Sequence, residues 1–227
     1  MGRVLFLIFA FMGSDQPIND YDSEFHRDAY FFAERGLKKA YRSSVEINAF
    51  GANVGMNAGS GNYMKVDGKK FVLTALHVVQ GREDIFITEK GGANHIAKLK
   101  YADPHRDIAI LEVTRDLKYT KAIEYRTVSK NHVGREVYYC GHPQNTSFMN
   151  FKGIIGGKDN QWLMLNIFAW PGSSGSVIFD SEGDVVGVVS AVSISDPTGV
   201  AVLVPNVVRV GPTTSLSRDM ITEVLSE

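Results

Sequence analysis

Three short segments of the sequence each place a reactive side chain beside an apolar, strand-like run. The segments are TALHVV, which contains His77, RDIAIL, which contains Asp107, and PGSSGS, which contains Ser174. Acyl transfer by a serine needs a base to take the hydroxyl proton, a carboxylate to fix the tautomer of that base, and amide donors for the oxyanion. The segments supply one residue of each type. The sequence therefore predicts nucleophilic catalysis by Ser174, with His77 as base and Asp107 as the orienting carboxylate.

The order of these residues narrows the kind of fold that could bring them together. His77 precedes Asp107 by 30 residues and Asp107 precedes Ser174 by 67, so the side chains can meet only through tertiary structure. The serine elbow of α/β-hydrolases has the order Ser, Asp, His and the pattern G-x-S-x-G. Position 176 is Ser in this chain and the order differs. An α/β-hydrolase is therefore excluded.

Two sets of strand-like segments surround the reactive residues. The sequence after Tyr41 consists of short β-rich runs separated by Gly, Asn and Asp turns. The first set covers 43–47, 60–66, 71–74, 84–87, 96–101 and 108–112, and a polar, basic stretch over 114–135 follows it. The second set covers 136–140, 150–156, 161–166, 175–179, 185–192 and 199–204. Six candidate strands on each side of a connector predict an all-β fold of two antiparallel barrels or sandwiches.

Helical periodicity is confined to the two sides of this β-rich region. Apolar residues recur at three- and four-residue steps over 22–41, which predicts an amphipathic helix. Gly36 lies inside that pattern, where it costs about 1 kcal/mol relative to Ala. The helix either packs on the domain or binds a partner. A second helix is predicted over 215–226, where Met220, Ile221 and Val224 are spaced for one face.

The first 20 residues form an apolar N-terminal segment that is set apart from the fold. Arg3 precedes an apolar run over 4–12, which is too short to span a bilayer. A basic residue, a short apolar stretch and small residues resemble a secretory signal, but no A-x-A cleavage site follows. Residues 4–12 are either a signal or membrane tether, or an apolar arm packed on the body. Export or membrane association follows if residues 1–14 act as a signal or anchor; otherwise the protein is intracellular or virion-associated.

Composition indicates an ordinary globular protein and argues against several classes of partner. The chain has 227 residues, 44% of them hydrophobic, and a formal net charge of −1, so it has no general attraction for nucleic acid or anionic lipid. Its single cysteine, Cys140, excludes an intrachain disulfide and is predicted to be a small buried residue. His105 and His142 are interpreted as turn residues beside prolines. No phosphate-binding loop, dinucleotide fingerprint or His/Cys cluster is present, so neither a metal nor a cofactor is predicted.

Together, the three segments resemble those of the trypsin-like, chymotrypsin-fold serine peptidases. TALHVV, RDIAIL and GSSGSV are similar to their TAAHC, D-I-A-L-L and GDSGGP segments. The resemblance is strongest to the HtrA-like protease domain and extends from residue 31 to about 208, through AGSGNYMKVDGKKFVLTALHVV, VYYCGHP and WPGSSGSVIFDSEGDVVGVVSAV. It implies a chymotrypsin-like double barrel with two six-stranded antiparallel β-barrels. The peptidase domain would cover 21–227, with a first barrel over about 42–113, a connector over 114–135 and a second barrel over about 136–208.

The resemblance also implies the roles of site residues. His77, Asp107 and Ser174 would form the catalytic triad, and the backbone N–H groups of Gly172 and Ser174 the oxyanion hole. The implied substrate pocket consists of Phe168, Ala169, Ser190, Ala191, Val192 and Gly199. None of these is acidic, and an acidic pocket base is what selects Arg or Lys in trypsin. We therefore expect a protein or peptide substrate with a small or medium apolar residue, such as Val, Ala or Leu, before the cut bond (P1).

Departures from the family pattern keep other functions open. Ser173 stands where trypsin-type zymogens have an activating aspartate, so that switch is not expected. Ser176 and Val177 replace the usual Gly-Pro, and a Cβ there could shift the nucleophile loop. The segment after residue 208 is shorter than a PDZ domain, so we expect the protease domain alone, and the HtrA resemblance suggests an oligomer. The alternatives are a pseudoprotease that binds a partner, or a viral-type processing enzyme with a single target.

Overall fold

Alternating apolar and polar residues build the strands of this protein. The computed structural model describes residues 33–52, 55–195 and 201–227. In the first strand Val45, Ile47 and Ala49 are fully buried, whereas Glu46 and Asn48 between them are partly exposed. This period of two places one face of the strand in a core and the other toward solvent. The N-terminal segment over 1–20, residues 22–32 of the predicted helix, and Gly199 lie outside the described residues.

The first six strands close into a barrel. They are β1 (Ser44–Gly51), β2 (Gly55–Val66), β3 (Lys69–Thr74), β4 (Asp84–Thr88), β5 (Asn94–Asp103) and β6 (Ile108–Val113). Their order is β1-β4-β5-β6-β3-β2, and antiparallel pairing of β1 with β2 closes the ring. A two-residue strand, β7 (Ile123–Glu124), adds to β2 in parallel. The sequence pattern did not indicate β7, because two residues are too few for a period to show.

The next six strands close into a second barrel. They are β8 (Glu136–Gly141), β9 (Met149–Asp159), β10 (Trp162–Asn166), β11 (Val177–Asp180), β12 (Val185–Ser195) and β13 (Val202–Pro212). The ring order is β10-β13-β12-β11-β8-β9. Two six-stranded antiparallel barrels confirm the predicted fold class. The strands β9, β12 and β13 run past their predicted ends because pairing with neighbours sets where a strand stops.

Within residues 33–52, 55–195 and 201–227, few helices accompany the barrels. They are α1 (Arg35–Ser43), α2 (Leu76–Val79), α3 (Arg218–Val224) and a 3₁₀ turn at Pro143–Asn145. Ala33 and Glu34 are not helical, so the described helix begins later than the pattern over 22–41 indicated. Gly36 is needed for packing, because a Cβ there would overlap the backbone oxygen of Asp180 in β11. Within the described ranges no helix is long and apolar enough to cross a membrane.

The two barrels share packing and one buried polar link. The larger core cluster combines first-barrel residues with Cys140, Val177 and Phe179 of the second barrel. Asn62 on β2 is fully buried between the barrels. Its amide donates to the oxygen of Ala40 in α1 (3.1 Å), and its Oδ1 accepts from the N–H of Val177 (2.9 Å). One side chain thus satisfies backbone groups from a helix and from the opposite barrel.

Candidate active site

The imidazole of His77 and the carboxylate of Asp107 are held together at the edge of the first barrel. Helix α2 follows β3 and carries His77, while Asp107 directly precedes β6 with a positive φ of 55°. The backbone N–H of His77 donates to Asp107 Oδ1 (2.8 Å), and Nδ1 of the ring lies 2.6 Å from Oδ2. Because an ionised carboxylate only accepts, Nδ1 carries the proton and Nε2 keeps its lone pair. This is the tautomer that a general base requires.

The Asp107 carboxylate has a third donor from the second barrel. Ser190 on β12 donates its hydroxyl to Oδ2 at 2.5 Å. Burial alone would raise the pKa of Asp107, but the hydrogen bonds from His77 and Ser190 outweigh it and the pKa is lowered. Asp107 therefore remains ionised. Sequence analysis did not find this function of Ser190, because it depends on how the two barrels pack.

Ser174 is the only serine of the nucleophile loop (171–176) with a partly accessible side chain. Ser173 and Ser176 are buried, at 1% and 0% exposure, whereas Ser174 is intermediate. The Ser173 hydroxyl is also engaged, since it accepts from the Trp170 N–H (3.3 Å). In the described part of the chain, no hydrogen bond joins Ser174 Oγ to His77 Nε2. Such contacts are often long without substrate and tighten when it binds.

The peptide orientations of the nucleophile loop leave two N–H groups without an acceptor in the described residues. Pro171 O accepts from the N–H of Gln144 (2.9 Å), and Ser173 O accepts from the N–H of Ser176 (3.1 Å). In a planar trans peptide the N–H points opposite to the C=O. The N–H groups of Gly172 and Ser174 therefore point away from these partners, and neither donates to any group in the described residues. Two preorganised amide donors beside a serine are what an oxyanion needs.

The backbone conformation and the close packing at position 172 require a glycine. Its φ is 100°, and Ser173 N–H bonds back to Trp170 O (2.8 Å), which matches a type II turn with Pro171 at its second position. A Cβ at residue 172 would also overlap the backbone oxygen of His142. The turn that orients the Gly172 N–H therefore depends on a residue without a side chain.

A cavity of about 190 Å³ opens beside Ser174. Its lining consists of Trp170, Pro171, Ser173, Ser174, Val189, Ala191, Val192 and Leu203. No charged side chain is among them. Apolar walls of this kind suit an uncharged side chain.

The predicted pocket residues divide between this cavity and other places. Ala191 and Val192 line it, whereas the Ser190 hydroxyl bonds to Asp107 and Ala169 is fully buried outside the lining. Phe168 is 41% exposed and stacks on Trp170 with a centroid distance of 6.3 Å.

Sequence analysis did not assign five of the lining residues to the pocket: Trp170, Pro171, Ser173, Val189 and Leu203. Leu203 enters through the pairing of β12 with β13, where Ile194 lies opposite it. Strand register is a tertiary property, and the spacing of residues along the chain carries no signal for it.

The protein is a double β-barrel with a cleft between the barrels. One barrel contributes an Asp-His pair to the cleft, and the other contributes a serine loop with two amides that have no acceptor in the described residues. This arrangement defines the class of chymotrypsin-like serine peptidases. A sequence profile of the trypsin-like peptidase domain matches residues 59–188. The match covers more than half of the chain, and the chain belongs to this family.

Individual relatives are HtrA and DegP proteases. The serine protease Do-like HtrA of Bacillus subtilis is 27% identical over 168 residues, covering 66% of this chain and 37% of its own length. A probable periplasmic serine endoprotease DegP-like of Hahella chejuensis is 29% identical, covering 63% of this chain and 31% of its own. The chain thus spans about a third of the length of these curated relatives.

Solved structures share the fold. The HtrA-type protease AlgW with tripeptide superposes with a TM-score of 0.66 at 22% identity, covering 84% of this chain and 62% of that one. The serine endoprotease from Yersinia pestis gives 0.65 at 21% identity, covering 85% and 66%.

Proposed function

We propose that this chain is a serine endopeptidase that hydrolyses peptide bonds through an acyl-enzyme. One observation carries the proposal: Asp107 Oδ2 lies 2.6 Å from His77 Nδ1 and accepts its hydrogen bond, which leaves Nε2 to accept a proton. The free N–H groups of Gly172 and Ser174 support it from the other barrel. Membership of the trypsin-like peptidase family is consistent with this chemistry.

In the first half of the reaction His77 acts as base and then as acid. Its Nε2 takes the proton of Ser174 Oγ as that oxygen attacks the carbonyl carbon of the substrate. The oxyanion accepts hydrogen bonds from the N–H groups of Gly172 and Ser174, while Asp107 stabilises the imidazolium. His77 then gives its proton to the leaving amine, the C–N bond breaks, and an ester on Ser174 remains.

In the second half a water molecule replaces the amine. His77 Nε2 takes a proton from the water, whose oxygen attacks the ester carbon. The same two N–H groups stabilise the second oxyanion. When the ester C–O bond breaks, His77 returns the proton to Ser174, and the carboxylic acid product leaves.

The cavity beside Ser174 supports a preference for small or medium apolar P1 residues. Its volume of about 190 Å³ and the Val192 and Leu203 side chains leave little room for a large aromatic ring. A charged P1 side chain would lose its hydration there without a counter-charge. We expect Val, Ala and Leu substrates to be cleaved and Arg, Lys and Trp substrates to be resisted.

A fluorophosphonate probe, which labels only activated serines, tests the proposal. The wild-type protein should be labelled, and Ser174→Ala and His77→Ala should both lose labelling. A peptide library differing at P1 then measures the preference. Failure of the folded wild type to react would overturn the proposed function, and labelling without turnover of any library peptide would favour a single-target processing enzyme.

Ser176 and Val177, which replace the Gly-Pro of the family pattern in the nucleophile loop, favour a second candidate, a binding module on the same fold. Such a protein would hold a partner in its cleft without cutting it. Unlabelled wild type that binds a peptide as tightly as Ser174→Ala would support this candidate.

A further inference from the structure

We propose that Ser60, on β2 of the first barrel, is a positioning residue for the oxyanion hole in the second barrel. The proposal rests on the proposed peptidase function. Ser60 is fully buried. It is not among the catalytic, oxyanion-hole or pocket residues that the sequence predicts. It does not reach the substrate, and its effect is exerted through the backbone of the nucleophile loop.

Ser60 binds two peptide groups of that loop. Its hydroxyl donates to the backbone oxygen of Gly172 (2.7 Å), and its backbone N–H donates to the oxygen of Ser174 (2.7 Å). The Gly172–Ser173 peptide lies between the two oxyanion donors along the chain. Ser60 therefore fixes the rotation of the peptide that joins them and of the Ser174–Gly175 peptide, and these two flank the peptide that carries the Ser174 N–H.

The direction of the Ser60 hydroxyl is itself set by a neighbour. The N–H of His142, at the end of β8, donates to Ser60 Oγ (3.0 Å). Since that donor occupies a lone pair of the oxygen, the hydroxyl proton is left for Gly172 O. Hydrogen bonds in such a chain polarise one another, which strengthens the contact with the loop. The backbone oxygen of Ser60 also accepts a hydrogen bond from the hydroxyl of Thr74 (2.7 Å).

A second hydrogen bond, which does not involve Ser60, also holds the loop. Pro171 O accepts from the N–H of Gln144, so the Pro171–Gly172 peptide keeps one partner when the Ser60 hydroxyl is removed. Removal of a whole oxyanion donor lowers kcat by about 10²–10³. Loss of a residue that only orients the donors should have a smaller effect, and we expect kcat to fall roughly 10- to 100-fold, below that limit.

Ser44 provides a matched control. It is also fully buried on the first barrel, and its hydroxyl donates to the backbone oxygen of Cys140 (3.2 Å). It contacts the ring of His142 (3.3 Å), and it has no hydrogen bond to the nucleophile loop in the described structure. Ser44→Ala therefore removes a comparable buried hydroxyl and leaves the backbone partners of residues 171–174 in place.

The experiment compares the full-length wild type, Ser60→Ala and Ser44→Ala on a peptide p-nitroanilide with Val at P1. Each is also inhibited with the matching peptidyl trifluoromethyl ketone, whose adduct with Ser174 places a negative oxygen in the oxyanion hole. For Ser60→Ala we expect the lower kcat, a KM within about twofold of wild type, and an inhibition constant raised by the same factor as kcat falls. Ser44→Ala should match wild type in all three.

Equal kinetics for Ser60→Ala and Ser44→Ala would overturn the proposal, as would a rise in KM without loss of kcat. If Ser60→Ala does not fold, Ser60→Cys is measured instead, because its thiol keeps a weaker donor at the same place. A lower kcat with an unchanged KM would support the proposal, and an unchanged kcat or a rise in KM alone would overturn it. A wild type that neither hydrolyses the substrate nor binds the ketone would instead overturn the proposed function, and the function of Ser60 with it.

Discussion

Three hydrogen bonds converge on the carboxylate of Asp107, two from His77 and one from Ser190. They keep the aspartate ionised and hold the imidazole in one tautomer. An amide in place of the carboxylate would present an N–H or a neutral oxygen to Nδ1. The ring could then turn its lone pair away from Ser174.

Asp107→Asn should therefore lower kcat by about 10⁴-fold, the size of this effect in trypsin-type triads, with a smaller change in KM. Steady-state kinetics on the Val substrate measures the change. Asp103→Asn is the control, because Asp103 pairs with Arg106 (2.9 Å) and no hydrogen bond joins it to His77 in the described part of the chain. An Asp107→Asn variant with near wild-type kcat would mean that Asp107 is not the orienting carboxylate.

His142 predicts a dependence of stability on pH. It is buried at 3% exposure, and burial, together with the nearby charge of Lys90, lowers its pKa to about 4. The unfolded chain takes up a proton near pH 6.5, whereas the native ring stays neutral until about pH 4. Stability is then full above pH 6.5 and is lost as the pH falls toward 4.

Urea unfolding at pH 7.5 and pH 5 checks this prediction. At about 1.36 kcal/mol per pKa unit, His142 should account for a loss of roughly 2 kcal/mol of unfolding free energy at pH 5. His142→Gln, which cannot take up this proton, should show a smaller decrease between the two pH values. An equal decrease in both proteins would contradict the assignment.

At the scale of elements, the turn before Ser174 is sensitive to a single added methyl group. Gly172→Ala would strain a residue at φ 100° and overlap His142 O, so the turn must rearrange and the Gly172 N–H must move. Losing that donor should lower kcat by about 10²–10³.

Gly157→Ala on β9 is the control, because nothing lies within 4 Å of a Cβ there. Its kinetics should match wild type, and both variants should keep the circular dichroism of the folded protein. Full activity in Gly172→Ala would show that this N–H is not an oxyanion donor.

Elements were predictable from sequence to the extent that their signal is local. The alternation of Val45, Ile47 and Ala49 with polar residues identifies β1 without any knowledge of its partners. The segments around His77, Asp107 and Ser174 are also local motifs. Ser60, Gln144 and the Ser190 hydroxyl act through contacts that only the packed barrels create, so no pattern along the chain could single them out.

At the scale of the whole molecule, the cleft depends on the position of one barrel relative to the other. His77 and Asp107 belong to one barrel and Ser174 to the other, and the buried amide of Asn62 ties the two. Asn62→Ala would leave the buried N–H of Val177 and the oxygen of Ala40 without this partner.

The oxygen of Ala40 keeps the backbone N–H of Ser44 as a partner, so the N–H of Val177 is the group left unsatisfied. An unsatisfied buried group costs about 1–3 kcal/mol, so Asn62→Ala should be destabilised by roughly that amount. For a chain of this size, Tm would fall by roughly 3–9 °C. Asn48→Ala, which removes only a long contact to Glu46 (3.4 Å), should stay within about 0.5 kcal/mol of wild type. Calorimetry of both variants tests this, and equal melting temperatures would show that Asn62 is not a link between the barrels.

Along the nucleophile loop, N–H groups that donate hydrogen bonds alternate with N–H groups that do not, and this predicts a pattern of hydrogen–deuterium exchange. The N–H groups of Ser173, Gly175 and Ser176 donate within the protein, whereas those of Gly172 and Ser174 have no acceptor in the described residues. In deuterated water, successive amides of one rigid loop should therefore exchange at alternately slow and fast rates. An oxyanion-mimicking ketone should slow the two fast sites selectively, so that NMR would detect the oxyanion hole as a change in deuterium uptake without any measurement of catalysis.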